Sequence, residues 1–252
     1  MGTRQSFQSW CVVLASRYLG GDALKTLGDV FGMSDSSAER VMKMFIRAVL
    51  LSDHPLLAIK CPESESDLNR TAAEWSRRSV SFGLLDGFLA AMDGCWLCCT
   101  NKPRDVDNPE DYFSGHYQCF GLNVQAACDA NLIFVYCAVA GPGRTNDQRV
   151  FRRLTKLNAW FNSLPARFFV GWDNAYPLLN NLLIPFSGSQ AHDPHKRSFN
   201  FLLSQMRIRI EMAFGRLTTK WRIFRRNLDL GTQMNSEIVE AAMKLHNFVI
   251  RV

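Results

Sequence analysis

Three carboxylates occupy positions from which they could hold a metal ion. Asp93 follows the apolar run Phe88–Met92 in AAMDG, and Asp173 follows a second apolar run in FFVGWDNAYP. If the two runs are neighbouring strands, the aspartates meet at one edge, where like charges repel each other unless a cation is bound. Glu211 lies at the border of the apolar stripe of a long helix, which pins it at the predicted helix–sheet interface within reach of those strand ends. Singly, each acid could be a cap, a turn residue or a salt-bridge partner, so only the constellation indicates chemistry.

The chemistry expected of such a constellation is metal-assisted. Carboxylate oxygens suit Mg²⁺ or Mn²⁺, which keep water ligands and also accept phosphate oxygens of a substrate. Two such ions can activate a nucleophile and stabilise the leaving oxygen.

Zinc is the alternative metal. Cys95 and Cys98, followed by Cys99, have ligand-like spacing, as do His192 and His195. Residues 95–99 continue a strand, whose neighbouring side chains point to opposite faces, and the histidines lie in a loop with proline. Neither pair completes a site, so we expect core or surface roles for them.

The basic residues are unevenly distributed. The chain has 29 Lys and Arg against 23 Asp and Glu, and the segment from His195 to Arg226 holds nine basic residues and one acid, Glu211. A local excess of this kind favours a polyanion such as DNA, bound through its phosphates. A solvated helix face is the alternative. The candidates for phosphate contacts are Arg207, Arg209, Lys220 and Arg222.

Two short helices are predicted near the start of the chain. The first carries an apolar face and ends at Gly32; the second begins at a capping box formed by Ser36 and Glu39. Its predicted apolar stripe consists of Val41, Phe45, Ala48 and Val49. Arg40, Lys43 and Arg47 form a basic line that could face a DNA groove, as in a helix-turn-helix. An ordinary helical hairpin with a charged outer face is the alternative.

The remaining pattern predicts an α/β fold. Strands are expected at Phe88–Met92, Leu122–Cys128, Leu132–Val139 and Phe168–Gly171, and helices at Arg149–Leu157, Ser198–Phe224 and Asn235–Val249. This order implies a sheet covered by helices. There is no apolar stretch of about 18 residues and no secretory leader, so we expect neither a membrane span nor secretion. The eight cysteines mostly lie in apolar runs, which fits a reducing compartment.

One ordered series of motifs carries a resemblance to a known family. AMDG, NVQAACD, PGRTNDQRVF, GWDNAYPL, the long segment SFNFLLSQMRIRIEMAFGRLTTKWRIF and LHNF resemble the signature of PIF/Harbinger transposases and their domesticated relatives over residues 80–250. The resemblance implies an RNase H-like fold with a DDE triad at Asp93, Asp173 and Glu211, and an auxiliary residue, Asp147, which could otherwise cap a helix. It also implies a helix-turn-helix-like domain at 1–60, a linker with a connecting helix at 61–80 and the catalytic domain at 81–252.

The activity implied by the resemblance is metal-dependent cleavage of DNA. Water attacks a phosphodiester in line and leaves a 3′ hydroxyl, which in an active transposase attacks target DNA. The resemblance also implies nuclear localisation, with the cytoplasm as the alternative, a separate Myb/SANT-like DNA-binding partner and a homo-oligomer. Two other hypotheses stay open: a nuclease with a cellular role, and a catalytically silent DNA-binding or scaffolding protein.

Two residues depart from the family pattern. Trp172 stands directly before Asp173, where the family usually has Gly, and Asn146 stands before Asp147, where it usually has His. Neither departure removes a carboxylate. We expect them to affect the packing of the site or its choice of DNA.

Overall fold

The computed structural model describes residues 2–78, 85–145, 147–176 and 179–252, without the side chains of residues 2–7, 94–97, 147 and 148. The helices are α1 (Gly2–Leu19), α2 (Leu24–Phe31), α3 (Asp35–Leu51), α4 (Glu65–Arg78), α5 (Asp147–Arg153), α6 (Thr155–Ser163), α7 (Pro194–Lys220) and α8 (Thr232–Arg251). The strands are β1 (Phe88–Cys99), β2 (Phe113–Ser114), β3 (Cys119–Cys128), β4 (Phe134–Pro142), β5 (Phe169–Gly171) and β6 (Leu182–Leu183). Short 3₁₀ helices occupy Pro55–Leu57, Pro109–Tyr112, Gly188–His192 and Arg222–Arg225.

The six strands form one mixed sheet in the order β2-β3-β1-β5-β6, with β4 paired to β3. β1 and β5 are parallel, with Ala91 opposite Gly171, and β5 and β6 are parallel, with Gly171 opposite Leu183. β2 and β3 are antiparallel. The α/β class expected from the sequence is therefore confirmed.

The chain folds into two compact units, each assembled from separate segments. The first comprises residues 1–58, 98–122 and 216–252, and the second comprises residues 59–97 and 123–215. The C-terminal helix α8 packs with α3, so segments from both ends of the chain belong to the first unit. The domain boundaries at 60 and 80 stay a prediction. No helix in the described part of the chain has the length and apolarity that crossing a membrane requires.

In the first unit, α3 is the central helix and contacts α1, α2 and α8. Its buried residues are Ala38, Met42, Ile46 and Val49, so the predicted stripe was wrong except at Val49. Contacts with three neighbouring helices select the buried face, which the pattern of one helix does not reveal. The N-cap is also shifted: the Ser34 side chain, not that of Ser36, accepts a hydrogen bond from the Ser37 N–H.

In the second unit, helices lie on both faces of the sheet. Gly171 faces α7, because a Cβ placed there would lie 2.9 Å from Leu203 Cδ1 and 2.7 Å from the Phe88 ring. The next residue, Trp172, packs against Phe151 of α5 and Phe161 of α6. Successive residues of an extended segment point to opposite faces, so α7 and the α5–α6 pair cover the two sides of β5.

Three element boundaries differ from those expected. β1 continues to Cys99, so that Asp93 lies inside the strand and not at its end. The helix expected at 149–157 is two helices, because Leu154 between them has φ −81° and ψ 69°. α7 begins four residues earlier than predicted, at Pro194, where Asp193 Oδ1 accepts hydrogen bonds from the N–H groups of His195 and Lys196.

The first turn of α8 is capped by a residue that is distant in sequence. Asp105 Oδ2 accepts a hydrogen bond from the Thr232 N–H (2.7 Å), and Asp105 Oδ1 accepts one from Thr232 Oγ1 (2.9 Å). The bonds from the Thr232 side chain and backbone hold the pKa of Asp105 below its usual value. A carboxylate near a helix N-terminus also interacts favourably with the helix dipole.

We predict that Asp105→Ala lowers the free energy of unfolding by about 0.5–1 kcal/mol at neutral pH, the lower part of the range for lost caps because the carboxylate is exposed. Since the folded pKa is depressed, this contribution is present above the unfolded pKa of about 4 and is lost as the pH falls through the folded pKa. Urea unfolding of both proteins at pH 7 and pH 3 measures it. A difference that grows on acidification would contradict the assignment.

Candidate active site

The parallel pairing of β1 with β5 lies next to two of the predicted site residues. The last pair of this ladder is Ala91 opposite Gly171, after a register shift between Phe88 and Ala90. Asp93 and Asp173 each follow two residues after this pair, Asp93 within β1 and Asp173 in the loop after β5. Both residues are half-buried.

Asp173 lies in a loop that its own side chain helps to shape. Its Oδ1 accepts a hydrogen bond from the Ala175 N–H at 3.0 Å, which forms an Asx turn directly after β5. The turn leads into Tyr176, which is 2% exposed and whose hydroxyl donates to Gln125 Oε1 at 2.8 Å. The loop is therefore fixed at its beginning and again three residues later.

The contact with Gln125 belongs to a buried chain of hydrogen bonds along β3. Gln125 Nε2 donates to Asn123 Oδ1 at 2.8 Å, and Asn123 Nδ2 donates to the Thr145 carbonyl at 3.4 Å. Thr145 lies two residues before Asp147, the first residue of α5. One strand thus holds the loops that carry Asp173 and Asp147.

The sequence analysis gave no role to these β3 side chains. The available signal was two polar residues, Asn123 and Gln125, spaced by two in an otherwise apolar strand. That spacing puts both on one face. Because buried polar groups must be paired, an internal partner could have been expected for them.

Trp172, the first departure from the family pattern, is the centre of an aromatic cluster. Its ring stacks on Tyr176 with a centroid distance of 3.6 Å and meets Phe151 edge-on at 5.3 Å. Phe161 lies 6.5 Å away on α6. The Trp172 indole is fully buried, and its Nε1 has no hydrogen-bond partner among the described residues. The cluster therefore fixes α5 and α6 against the residue that precedes Asp173.

Glu211 is more exposed to solvent than its position at the border of the apolar stripe predicted. It is exposed on α7, whereas Ile210, Ala213 and Phe214 are buried. Among the described residues, no group of three or more His, Cys, Asp or Glu side chains is close enough to hold a metal ion. In the described part of the chain, Asp93 and Asp173 thus follow paired strand positions, and the three acids do not form a metal-binding group.

The other predicted ligands lie as follows. The backbone of Asp147 begins α5, but its side chain, like that of Cys95 and the whole of Asn146, lies outside the described residues. Cys98 is buried in β1. His192 ends a 3₁₀ helix and His195 lies in the first turn of α7, and both are exposed.

The basic candidates on and after α7 differ in their surroundings. Lys220 and Arg222 are exposed. Arg209 donates to the Ala130 carbonyl at 3.4 Å, and the half-buried Arg207 has an Nε without a hydrogen-bond partner. Exposed Lys220 and Arg222 are therefore more accessible to a phosphate than Arg207 or Arg209.

The basic line on α3 is partly neutralised. Lys43 pairs with Glu39, and Arg47 lies 3.5 Å from Glu237 of α8. Arg40 is exposed. Two of the three cations thus have acidic partners, but exposed ion pairs are weak and can be exchanged for contacts with phosphate.

Comparisons with known proteins agree on one family. The family described as "DDE superfamily endonuclease" matches residues 92–247. The protein called "Protein ALP1-like" from Arabidopsis thaliana is 24% identical over 254 residues, which cover 95% of this chain and 60% of that protein. The chain thus spans less than two thirds of this relative. No solved structure matches.

We predict that Trp172→Ala lowers the free energy of unfolding by about 3–5 kcal/mol, because it leaves a cavity among the rings of the cluster. Trp172→Phe is the matched control. It keeps an aromatic ring and removes the unpartnered indole N–H, so its cost should stay below about 1.5 kcal/mol. Urea unfolding followed by circular dichroism measures both. Equal losses in the two variants would show that the indole is not the element that holds the cluster together.

Proposed function

Because this chain belongs to the DDE superfamily endonucleases, we propose that it is a divalent-metal-dependent DNA endonuclease of PIF/Harbinger type, either an active transposase or a nuclease derived from one. The observation that supports the proposal is the parallel pairing of β1 with β5, in which Ala91 lies opposite Gly171, each two residues before one of the aspartates. Carboxylates that follow paired positions of two strands are suitable ligands for a shared divalent cation.

The residues that would hold the cation are Asp93, Asp173 and Glu211. Their donor chemistry fits Mg²⁺ or Mn²⁺, which bind few carboxylates and keep sites for water and phosphate oxygens. The two aspartates are fixed by the sheet and by the Asx turn of Asp173. Glu211, exposed on α7, has rotamers available to complete the set.

When bound, the cation would supply an activated nucleophile and neutralise charge on the phosphate. The chain's own contribution is positional. The pairing of β1 with β5 restrains the strands that lead to Asp93 and Asp173, and the hydrogen bond from Tyr176 to Gln125 restrains the backbone three residues after Asp173. In hydrolysis, water forms the new bond to phosphorus as the bond to the 3′ oxygen breaks, and the products carry a 5′ phosphate and a 3′ hydroxyl.

An RNase H-like fold and a DNA-reading N-terminal domain are parts of the same proposal. The first is supported by the mixed sheet, by parallel β1, β5 and β6, and by helices on both sides of β5. The second is supported by α2 and α3, which are joined through Gly32 in the left-handed conformation at φ 63°. Arg40, Lys43, Arg47, Lys220 and Arg222 are the proposed DNA contacts of this chain, with Arg207 and Arg209 beside Glu211.

The biological setting is also a proposal. A DNA substrate and the family resemblance support nuclear localisation, a Myb/SANT-like partner that contributes target choice, and assembly of several copies on DNA ends. Asp147, at the start of α5, is proposed as an auxiliary polar residue.

A catalytically silent DNA-binding or scaffolding protein is the second candidate. It is favoured by the exposed position of Glu211 and by the separation of this residue from the two aspartates in the described part of the chain. It is opposed by the presence of all three acids. Metal binding separates the two candidates, because a scaffold has no need of paired aspartates.

We predict that the parent protein binds Mn²⁺ and nicks duplex DNA, and that Asp93→Asn and Asp173→Asn each reduce cleavage by more than about 100-fold, since loss of an outer-shell group alone costs 10–100-fold. Calorimetry measures Mn²⁺ binding, and labelled duplexes report cleavage. Asp107→Asn, which removes an exposed acid elsewhere, is the matched control.

Circular dichroism of every variant confirms that it is folded. Binding and cleavage retained in Asp107→Asn but lost in both site variants would support the carboxylate site. A parent that binds no Mn²⁺, or site variants that bind it as the parent does, would leave the scaffold as the better description.

A further inference from the structure

A strongly charged surface lies on α5 and α6, and it does not include the candidate ligands or the basic residues of α3 and α7. It is formed by Arg149, Arg152 and Arg153 of α5 and Lys156 of α6, and is called here the α5–α6 basic face. All four side chains are exposed. Within the described part of the chain, none of the four makes a hydrogen bond or an ion pair. By contrast, Arg167, the other cation of this stretch, lies 2.9 Å from Glu65.

The local sequence holds few acids to compensate these charges. Asp147 and Asp173 flank the stretch from Gln148 to Trp172, which itself contains no Asp or Glu. Arg149, Arg152 and Arg153 are three and four residues apart, so they are neighbours on one side of α5, where like charges destabilise the helix. Four exposed cations that make no ion pair with a described side chain therefore oppose folding slightly and favour a polyanion that neutralises them.

Interaction with the helix dipoles accounts for the positions of only two of the four cations. Arg152 and Arg153 lie in the last turn of α5, where a cation interacts favourably with the helix dipole. Arg149 and Lys156 lie in the first turns of α5 and α6, where the same dipole disfavours a cation. The placement of these two residues calls for a partner outside the chain.

The face is rigidly connected to the candidate active site. Phe151 lies between Arg149 and Arg152 in sequence, and its ring packs on Trp172 at 5.3 Å. Trp172 is covalently attached to Asp173, and α5 begins at Asp147. The contact between Phe151 and Trp172 thus joins the helix that carries three of the four cations to the residue that precedes Asp173.

We propose that the α5–α6 basic face binds the phosphate backbone of duplex DNA flanking the cleaved bond. The proposal rests on DNA as the substrate of the proposed function. Side chains three and four residues apart on a helix are about 5–6 Å apart at Cβ, and long Arg and Lys side chains extend that reach to successive phosphates. The contact is independent of base sequence, because phosphates carry no sequence information.

The test is the salt dependence of duplex binding by the full chain, measured by fluorescence anisotropy in EDTA, where no metal-dependent cleavage takes place. The variant Arg149→Gln, Arg152→Gln, Arg153→Gln, Lys156→Gln removes the face. Each phosphate contact contributes about 0.9 to the slope of log K against log salt concentration, so the slope should fall by about 3 and the affinity at fixed salt by at least about 10-fold.

The matched control removes the same net charge from the same unit. Lys60→Gln, Arg70→Gln, Arg77→Gln, Arg78→Gln changes four exposed cations, two of which already have acidic partners. We expect it to change the slope by less than about 1, because non-contacting charges release few counterions. A third variant, Arg149→Lys, Arg152→Lys, Arg153→Lys, keeps the charge and should bind like the parent.

Equal slopes in the face variant and the control would overturn the proposal, as would an unchanged slope in the face variant. A parent that does not bind duplex DNA would also overturn it. Because DNA binding is measured without metal, a protein that fails to cleave DNA can still support the proposal that the α5–α6 basic face binds DNA. A chain that cleaves normally, with an unaltered slope in the face variant, would refute the face and leave the proposed function intact.

Discussion

The pairing of a three-residue strand, β5, with β1 is the constraint on which the candidate site depends. Gly171 is the residue that permits it, because any Cβ there would lie 2.7 Å from the Phe88 ring and 2.9 Å from Leu203 Cδ1. A side chain at this position would require one of these groups to shift, and the atoms closest to the added Cβ are the ends of side chains. The absence of a side chain at Gly171 therefore lets β5, Phe88 and Leu203 pack closely. This packing supports the strand pairing that ends at Ala91 and Gly171, two residues before the two aspartates.

A strand of three residues forms few backbone hydrogen bonds with its neighbours, so the loops around it need other restraints. The hydrogen-bond chain from Tyr176 through Gln125 and Asn123 to Thr145 supplies them from β3, on the far side of β1 in the sheet order. These groups are buried, and leaving one of them unpaired would cost about 1–3 kcal/mol. That cost disfavours alternative loop positions. Rigidity after Asp173 and before Asp147 therefore comes from polar groups, while rigidity across the sheet comes from apolar packing.

The sequence predicted candidate acids but not the residues that surround them. Asp93 and Asp173 were identified because each follows an apolar run, a property of adjacent residues. The register of the strands, however, depends on which strand lies beside β5, and adjacent residues do not show this. β1 also continues to Cys99, so Asp93 lies inside the strand and not at its predicted end. The buried stripe of α3 was misassigned for a related reason, since contacts with three other helices select it. The exposure of Glu211 likewise depends on how α7 is rotated against the sheet. The spacing of the apolar residues in α7 predicts which face is buried, but it does not decide whether a residue at the border of that face is buried or exposed.

Trp172 shows how a departure from a family pattern can be read physically. It replaces the glycine usual at that position, yet its side chain points away from the face of Gly171, into the rings of Phe151, Phe161 and Tyr176. The added indole therefore changes the packing of the residue before Asp173 and removes no carboxylate. Its consequence is a firmer attachment of α5 and α6, the helices that carry the exposed arginines, to the strand that ends at Asp173.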